Sequence, residues 1–333
     1  MIRLTLPVLL VLVCLNLPAQ NCGNGILDPR VAAVLHDSIK DLQPKLSRLS
    51  IEVRRKVNPG EDKSFPAGDV QITIIPGDSI PVYIFNANHG KNLPAVLYFH
   101  SGAFVFPFLP FMKQECWRMS KELNAIVFAV DYRTAPQHKF PAAVNDAYRS
   151  FEWLLSHGSA WDADINKLVI SGISAGANLS AVVCQKAKKT GLANKIKLQV
   201  LNCPSLDNVA HQSQYPSYEK YASGYFQTRE FIVFAQNTYA DAQSFLDPEF
   251  APMLTADLRN LPPAVMIIAE FDIFHDEDQL YARRLQEAGV KVWSKCFPGQ
   301  IHGLVGLRPD ATEKTELSEL VRSAMSESMQ GSK

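Results

Sequence analysis

The sequence lacks an excess of charge of either sign. Its 333 residues include 33 Lys or Arg and 33 Asp or Glu, so the formal net charge is zero. Proteins that bind nucleic acid or anionic membranes through electrostatics usually carry a basic excess. The charge balance therefore argues against both kinds of partner. The chain also shows no internal repeat and no low-complexity tract.

A long hydrophobic run is absent as well. The most apolar stretch, residues 4–17, is too short for a comfortable membrane span, so no stable span is expected. Because Arg3 precedes it and Pro18-Ala19 follow it, the stretch resembles a secretory signal peptide. We predict a signal peptide over residues 1–19 and a secreted or periplasmic folded domain over residues 20–333. The alternative is a chain that stays anchored to the membrane by its N-terminus.

Cysteine is scarce and follows no metal-binding pattern. The six cysteines form no C-x-x-C pair and show no zinc spacing. Removal of residues 1–19 would leave five, so at least one thiol is free or pairs with another chain. The spacing fits no recognisable disulfide framework. We expect Cys184 and Cys203 to be buried as small apolar residues.

What the chain does have is a regular alternation of strand and helix patterns. Strands are predicted at residues 70–75, 80–85, 95–99, 126–130, 168–170, 196–201, 265–269 and 290–296. Helices are predicted near residues 29–56, 110–123, 141–156, 175–188, 276–288 and 312–328. Short apolar strands that alternate with helices predict an α/β fold with a mostly parallel central sheet and helices on both faces. The turn signal Pro76-Gly77-Asp78 predicts a hairpin between the first two strands.

One segment interrupts this alternation. Residues 205–258 are rich in tyrosine and phenylalanine and lie between two predicted strands of the sheet. An insertion at the carboxyl ends of such strands would lie over a site there as a lid.

The most informative motif is G-x-S-x-G at Gly172-Ile173-Ser174-Ala175-Gly176. It follows a predicted strand and precedes a predicted helix. In that context the serine becomes an exposed nucleophile on a tight turn, and the glycines avoid collisions with the neighbouring strand and helix. The motif alone is weak, because chance matches are frequent. A serine nucleophile also needs a base and an acid that orients the base.

A carboxylate and an imidazole follow in the appropriate order. Asp272 comes directly after the strand predicted at 265–269, and His302 follows the last predicted strand and precedes Gly303. The order Ser, Asp, His is that of an α/β-hydrolase. The other seven histidines, including His100, have no comparable setting. We predict Ser174, Asp272 and His302 as a catalytic triad.

The residues from Asp272 to Asp276 also allow two other interpretations, a metal site and a helix cap. Asp272, His275 and Asp276 could hold a metal on composition, but no further ligand group accompanies them, so no metal is predicted. Asp276 fits better as a capping carboxylate at the start of a helix.

The small residues after the strand at 95–99 suit an oxyanion hole. The turn His100-Ser101-Gly102-Ala103 can aim successive backbone N–H groups at one point. Together with the residue after the nucleophile, this predicts Gly102, Ala103 and Ala175 as the donors. Phe104, Phe106 and Phe108 follow and are candidates for a substrate pocket, although simple packing explains them equally well.

These stretches together resemble the hormone-sensitive lipase family of α/β-hydrolases, also called bacterial family IV esterases, from about residue 93 to residue 304. Six motifs of that family have counterparts here, in the same order along the chain. They are His100-Ser101-Gly102-Ala103, Asp131-Tyr132-Arg133-Thr134-Ala135-Pro136-Gln137, Gly172 to Gly176, Asp247 to Met253, Asp272 to Glu277 and His302-Gly303-Leu304. The resemblance implies a serine carboxylesterase that acts on a small ester without a cofactor. It also implies cap elements from about residues 25–60 and 205–258.

The chain departs from the family pattern at several positions. Ser101 and Ala103 replace glycines of the oxyanion turn, and the backbone N–H donors are kept. The methyl group of Ala103 narrows the space for the substrate beside the turn, so esters of bulky or tertiary alcohols are disfavoured. Ile173 replaces an acidic residue beside the nucleophile, and Gln137 replaces a glutamate. None of these changes removes a member of the triad.

Two alternatives remain at the level of sequence. One is an amidase, arylformamidase or deacetylase on the same fold, since a triad does not separate ester from amide. The other is a ligand-binding protein without catalysis. The oligomeric state is not indicated.

Overall fold

The computed structural model describes residues 22–35, 65–304 and 311–330. The signal peptide predicted over residues 1–19, and most of the helix predicted at 29–56, lie outside these residues. Of that helix the structure describes Pro29–Val34, which we call α1.

The described part of the chain forms one eight-stranded sheet in the order β1-β2-β4-β3-β5-β6-β7-β8. The strands are β1 Val70–Ile75, β2 Ile80–Phe85, β3 Leu93–Phe99, β4 Ile126–Val130, β5 Ala163–Ile173, β6 Ile196–Asn202, β7 Ala264–Phe271 and β8 Val292–Ile301. Strands β1 and β2 pair antiparallel, as does β2 with β4, and the remaining pairs are parallel. The predicted hairpin and the mostly parallel sheet are both confirmed.

The other α-helices of the described residues are α2 Pro110–Leu123, α3 Ala142–His157, α4 Ala175–Lys189, α5 Val209–Gln212, α6 Pro216–Lys220, α7 Arg229–Tyr239, α8 His275–Glu287 and α9 Thr312–Gln330. None of the described helices is long and apolar enough to cross a bilayer.

Helices cover both faces of the sheet, because alternate side chains of each strand point to opposite faces. In β3, Leu97 and Phe99 belong to one apolar cluster with residues of α3, α4 and α8. Val96 and Tyr98 belong to a second cluster with residues of α2 and α9. The α/β fold with helices on both faces is therefore confirmed, and its central strands are buried on both faces.

Two predicted details are wrong. The last strand was expected to end near residue 296 and continue as a loop, whereas β8 runs on to Ile301 through Pro298 and Gly299. An edge strand tolerates proline, because its outer side needs no ladder hydrogen bond. Asp276 was expected to cap α8, but the helix begins at His275 and Asp276 lies inside its first turn.

A disulfide ties the described N-terminal segment to the edge of the sheet. Cys22 pairs with Cys296 of β8, with 5.5 Å between the two Cα atoms. Beside this bond, the Glu270 carboxylate accepts hydrogen bonds from the backbone N–H groups of Gly25 and Gly299, both at 2.8 Å. The sequence left this pairing open. Cys184 and Cys203 are buried and free, in agreement with the prediction.

Candidate active site

Ser174 occupies the sharp turn between β5 and α4. Its backbone has φ 57° and ψ −119°, an unusual conformation for a residue with a side chain. The Ser174 N–H donates to the carbonyl oxygen of Asn202 at the end of β6, at 2.9 Å. Gly172 and Gly176 pack directly on each other, since a Cβ on Gly172 would lie 2.2 Å from the Gly176 carbonyl oxygen. The two glycines therefore allow α4 to start close to the sheet.

Asp272 and His302 come together although 30 residues separate them. Nδ1 of His302 lies 2.7 Å from Oδ2 of Asp272, and both side chains are buried. A carboxylate only accepts hydrogen bonds, so Nδ1 carries the shared proton and Nε2 keeps its lone pair. The other carboxylate oxygen, Oδ1, accepts from the Phe274 N–H at 3.0 Å. These two contacts fix the orientation of the acid and of the imidazole.

Nε2 of His302 faces no hydrogen-bond partner among the described residues, although the atom is buried. No Ser174–His302 hydrogen bond is therefore formed in this structure. The two residues share a neighbour instead. The ring of Phe274 lies 5.4 Å from the His302 ring, and Phe274 lines the same cavity as Ser174. In enzymes without bound substrate, the hydrogen bond between a serine nucleophile and its histidine base is often long or poorly aligned.

Two of the three candidate oxyanion donors lie beside the serine. Ala103 and Ala175 line the cavity with Ser174, and Gly102 directly precedes Ala103 in the turn. Ala175 is the first residue of α4, so its N–H has no partner within the helix. Gly102 has φ 123° and Ala103 has φ 52°. Positive φ angles are adopted most easily by glycine, which explains the glycine at position 102.

The cavity beside Ser174 is small, about 20 Å³. Its roof comes from α7, through Ile232, Ala235 and Gln236. This helix belongs to the segment at 205–258 that was predicted to lie over the site.

The three phenylalanines after the turn have different surroundings. Phe104 lines the cavity and stacks on Tyr239, with ring centroids 4.1 Å apart. Phe106 lies near Phe231 of α7. Phe108 stacks on His100 at 5.0 Å, away from the cavity lining. This favours the packing interpretation for Phe108, and the pocket role of Phe104 stays a prediction.

His100, at the start of the turn, is held by two aromatic rings and a hydrogen bond. Its ring is stacked between Tyr132, at 4.1 Å, and Phe108, and its carbonyl oxygen accepts a hydrogen bond from the Tyr132 hydroxyl at 2.8 Å. Burial lowers the pKa of His100 to about 4, a hydrogen bond to the Ser101 carbonyl opposes that shift, and the charge of Lys113 adds to it. The imidazole is therefore neutral near pH 7.

The structure does not bring Asp272, His275 and Asp276 together as a set of metal ligands. His275 Nδ1 pairs with the Ala269 carbonyl oxygen at 2.9 Å, and Asp276 accepts from the Ser217 N–H at 2.7 Å. Among the described residues, the group of side chains with metal-ligand chemistry is instead Cys203, Asp272 and His302.

Sequence reasoning missed the position of Cys203 and of Asp278. Both are fully buried near Asp272. Cys203 directly follows β6, so its place at the same sheet edge as Ser174 and Asp272 could have indicated this neighbourhood. For Asp278, the signal was a third carboxylate in the first turn of α8.

Comparisons with known proteins agree with this fold. The profile of the α/β-hydrolase fold family matches residues 96–306. An ethyl acetate hydrolase of Pseudomonas putida is 34% identical over 239 residues, which cover 70% of this chain and 74% of that protein. An arylesterase of Saccharolobus solfataricus is 31% identical over 262 residues, 77% of this chain and 84% of that protein. The structure of a hyperthermophilic esterase from the archaeon Pyrobaculum calidifontis is similar with a TM-score of 0.79 and 31% identity, over 91% of this chain and 99% of that one.

Proposed function

This chain belongs to the α/β-hydrolase family, in its hormone-sensitive lipase group of esterases, and on that basis we propose that Ser174, His302 and Asp272 carry out its reaction. The protein is a serine hydrolase that acts on carboxylic esters. The observation that carries the residue assignment is the buried hydrogen bond between Asp272 and His302, beside the elbow that holds Ser174.

The reaction proceeds in two acyl-transfer steps. The Ser174 hydroxyl attacks the ester carbonyl while Nε2 of His302 takes its proton, and Asp272 stabilises the imidazolium that forms. His302 then gives the proton to the departing alcohol, which leaves an acyl-enzyme on Ser174. Water repeats the attack and releases the carboxylic acid, and the serine is restored. For the first step, Ser174 and His302 must form the hydrogen bond that this structure lacks.

The backbone N–H groups of Gly102, Ala103 and Ala175 hold the oxyanion in this proposal. Support comes from the position of Ala103 and Ala175 on the cavity wall beside Ser174. Donors fixed in the backbone need no rearrangement as negative charge develops on the carbonyl oxygen. One such donor contributes about 3 kcal/mol to the stability of the transition state.

The substrate is a small or short-acyl ester in this proposal. A cavity of about 20 Å³ beside the nucleophile accommodates roughly one water-sized group before α7 is met. The methyl group of an acetyl ester is about this size and fits the space, whereas longer acyl chains require Ile232 and α7 to move.

The triad assignment is tested by single substitutions with a chromogenic acetyl ester. Ser174→Ala, His302→Gln and Asp272→Asn are each expected to lower kcat strongly, by on the order of a millionfold for the serine. Ser150→Ala is the matched control, because Ser150 is also a buried serine but lies on α3. Full activity in Ser174→Ala would refute the assignment.

We further propose that the protein is exported. Support comes from the apolar stretch at residues 4–17 and from the disulfide between Cys22 and Cys296, since disulfides persist in oxidising compartments. Expression of the full chain in a bacterium, followed by N-terminal sequencing of the mature protein, tests this. Cleavage after residue 19 and recovery outside the cytoplasm are expected, and an intact N-terminus in the cytoplasm would contradict the proposal.

A further inference from the structure

Cys203 belongs to the same cluster of side chains as Asp272 and His302. It follows β6 directly, is fully buried, and donates its backbone N–H to the Ile267 carbonyl oxygen of β7 at 2.8 Å. Its Sγ, a carboxylate oxygen of Asp272 and a ring nitrogen of His302 all lie within 4.8 Å of one another. Thiolate, carboxylate and imidazole are the three side-chain ligands that Zn²⁺ takes in proteins.

The separation of these atoms is close to what a tetrahedral ion requires. With metal–ligand bonds of about 2.0–2.3 Å, two ligand atoms of one tetrahedral ion lie about 3.5 Å apart. The three atoms lie within 4.8 Å of one another, so no pair has to close by much more than about an ångström. His302 Nδ1 and Asp272 Oδ2, hydrogen-bonded at 2.7 Å, must instead separate by roughly an ångström to admit the ion. The Cys203 and Asp272 side chains lie at the ends of neighbouring parallel strands, β6 and β7, which share one edge of the sheet.

We propose that Cys203, Asp272 and His302 form an inhibitory site for a thiophilic divalent cation, of which Zn²⁺ and Cd²⁺ are the representatives. The inhibition, but not the binding, rests on the proposed role of His302 as the base.

The binding step balances without an oxidant or reductant. Burial, followed by the charges of Asp272 and Asp278, raises the pKa of the Cys203 thiol well above its ordinary value, so the thiol is protonated in the free enzyme. As the cation binds, the S–H bond breaks, an S–metal bond forms, and the proton leaves to solvent. Asp272 contributes a carboxylate oxygen as the second ligand.

The imidazole changes its tautomer in the same step. Nδ1, the nitrogen that faces Asp272, gives its lone pair to the metal, and its proton is transferred to Nε2 through solvent. A protonated Nε2 has no lone pair to accept the Ser174 proton, so ester hydrolysis stops. Removal of the ion reverses each of these changes.

Binding is measured in a protein that needs no activity. The full chain with Ser174→Ala is titrated with Cd²⁺, and the ultraviolet charge-transfer absorption of Cd²⁺–thiolate is followed together with the heat of binding. One ion per chain is expected. The absorption should disappear when Cys203→Ser is added and persist when Cys184→Ser is added, since Cys184 is also a buried free cysteine but lies on α4. No Cd²⁺–thiolate absorption with Ser174→Ala, or equal absorption with Cys203→Ser, would overturn the site.

Inhibition is measured on the active enzyme with Zn²⁺, relative to the metal-free rate of each variant. The concentration for half-inhibition is expected to rise at least about tenfold in Cys203→Ser and to stay unchanged in Cys184→Ser, and a chelator should restore activity. Cys203→Ala is the second variant if the serine variant does not fold. Equal Zn²⁺ sensitivity in all proteins would overturn the proposed inhibition. A wild-type chain that binds Cd²⁺ at Cys203 but hydrolyses no ester would instead contradict the proposed function.

Discussion

Gly176 packs directly against Phe99, the last residue of β3. A Cβ built on Gly176 would lie 1.9 Å from the Phe99 carbonyl oxygen and 2.6 Å from that of His100. Both neighbours are backbone atoms, which cannot rotate away as a side chain can. The turn that carries Ser174 is therefore held against the proposed oxyanion turn by a contact between main chains.

Gly176→Ala is accordingly expected to lose more than about 3 kcal/mol of unfolding free energy, because the first turn of α4 must move away from β3. Denaturant unfolding measures this loss. Gly191→Ala is the control, since a Cβ on Gly191 would meet nothing within 4 Å; its cost comes from the positive φ of Gly191, which Gly176 does not share. It should cost only about 1–2 kcal/mol. Equal losses in the two variants would show that the close contact is not responsible.

The disulfide between Cys22 and Cys296 is expected to stabilise the fold. It closes a loop across 274 residues, and a native disulfide contributes about 2–5 kcal/mol. Cys22→Ser should therefore lower Tm, and a reducing agent should lower Tm of the wild type toward that of the variant. The variant itself should not respond to reduction. An equal response of both proteins to the reducing agent would argue against this bond.

The burial of His100 predicts a pH dependence of stability. Its pKa is lowered from 6.5 to about 4 in the folded state, so between these pH values the unfolded chain binds more protons. Stability contributed by the neutral ring is then present above about pH 6.5 and is lost as pH falls toward 4. Asp131 acts in the opposite direction over part of this range, because burial raises its pKa to about 6.

The effect of His100 is isolated by comparing variants. His100→Gln should remove part of the rise in unfolding free energy between pH 4 and pH 6.5, as measured by denaturant unfolding at several pH values. His138→Gln, at an exposed position, controls for the loss of one imidazole. A wild-type slope in His100→Gln would exclude His100 as its source.

Helix α7 is expected to limit the acyl chain. Ile232→Ala removes three carbons from the roof of the cavity beside Ser174, so longer acyl groups should enter more easily. The ratio of kcat/KM for hexanoyl over acetyl esters should rise by roughly tenfold, as expected for about 1–3 kcal/mol of pocket contact. Asn237→Ala, an exposed residue on the same helix, should leave the ratio unchanged. A similar ratio in wild type and Ile232→Ala would contradict this role of α7.

The strands could be predicted from sequence because most are short apolar runs buried on both faces. β4 was predicted over 126–130 and has these bounds. β5 was predicted over only 168–170, yet it runs from Ala163 to Ile173. Its first residues are mostly polar, and they belong to the strand because Ala163 and Asp164 pair with Leu93 and Pro94 of β3. Such pairing is a tertiary effect that local patterning does not report.

In the candidate site, too, local patterns could be predicted from the sequence and contacts between distant segments could not. The order of Ser174, Asp272 and His302 along the chain was visible in the sequence, because each follows a predicted strand. The pairing of Cys22 with Cys296 was not, since five cysteines allow several pairings and these two are 274 residues apart. The neighbourhood of Cys203 and the small cavity under α7 likewise depend on how distant segments pack.

The most direct test of the account is covalent labelling of the native protein with a fluorophosphonate, followed by peptide mapping. The reagent reacts with serines that an adjacent base activates, so one label per chain at Ser174 is predicted, with parallel loss of ester hydrolysis. Ser174→Ala should take up no label and show no hydrolysis above background. An enzyme that hydrolyses esters while its label sits on another residue, or that works undiminished without the Ser174 hydroxyl, would contradict the account.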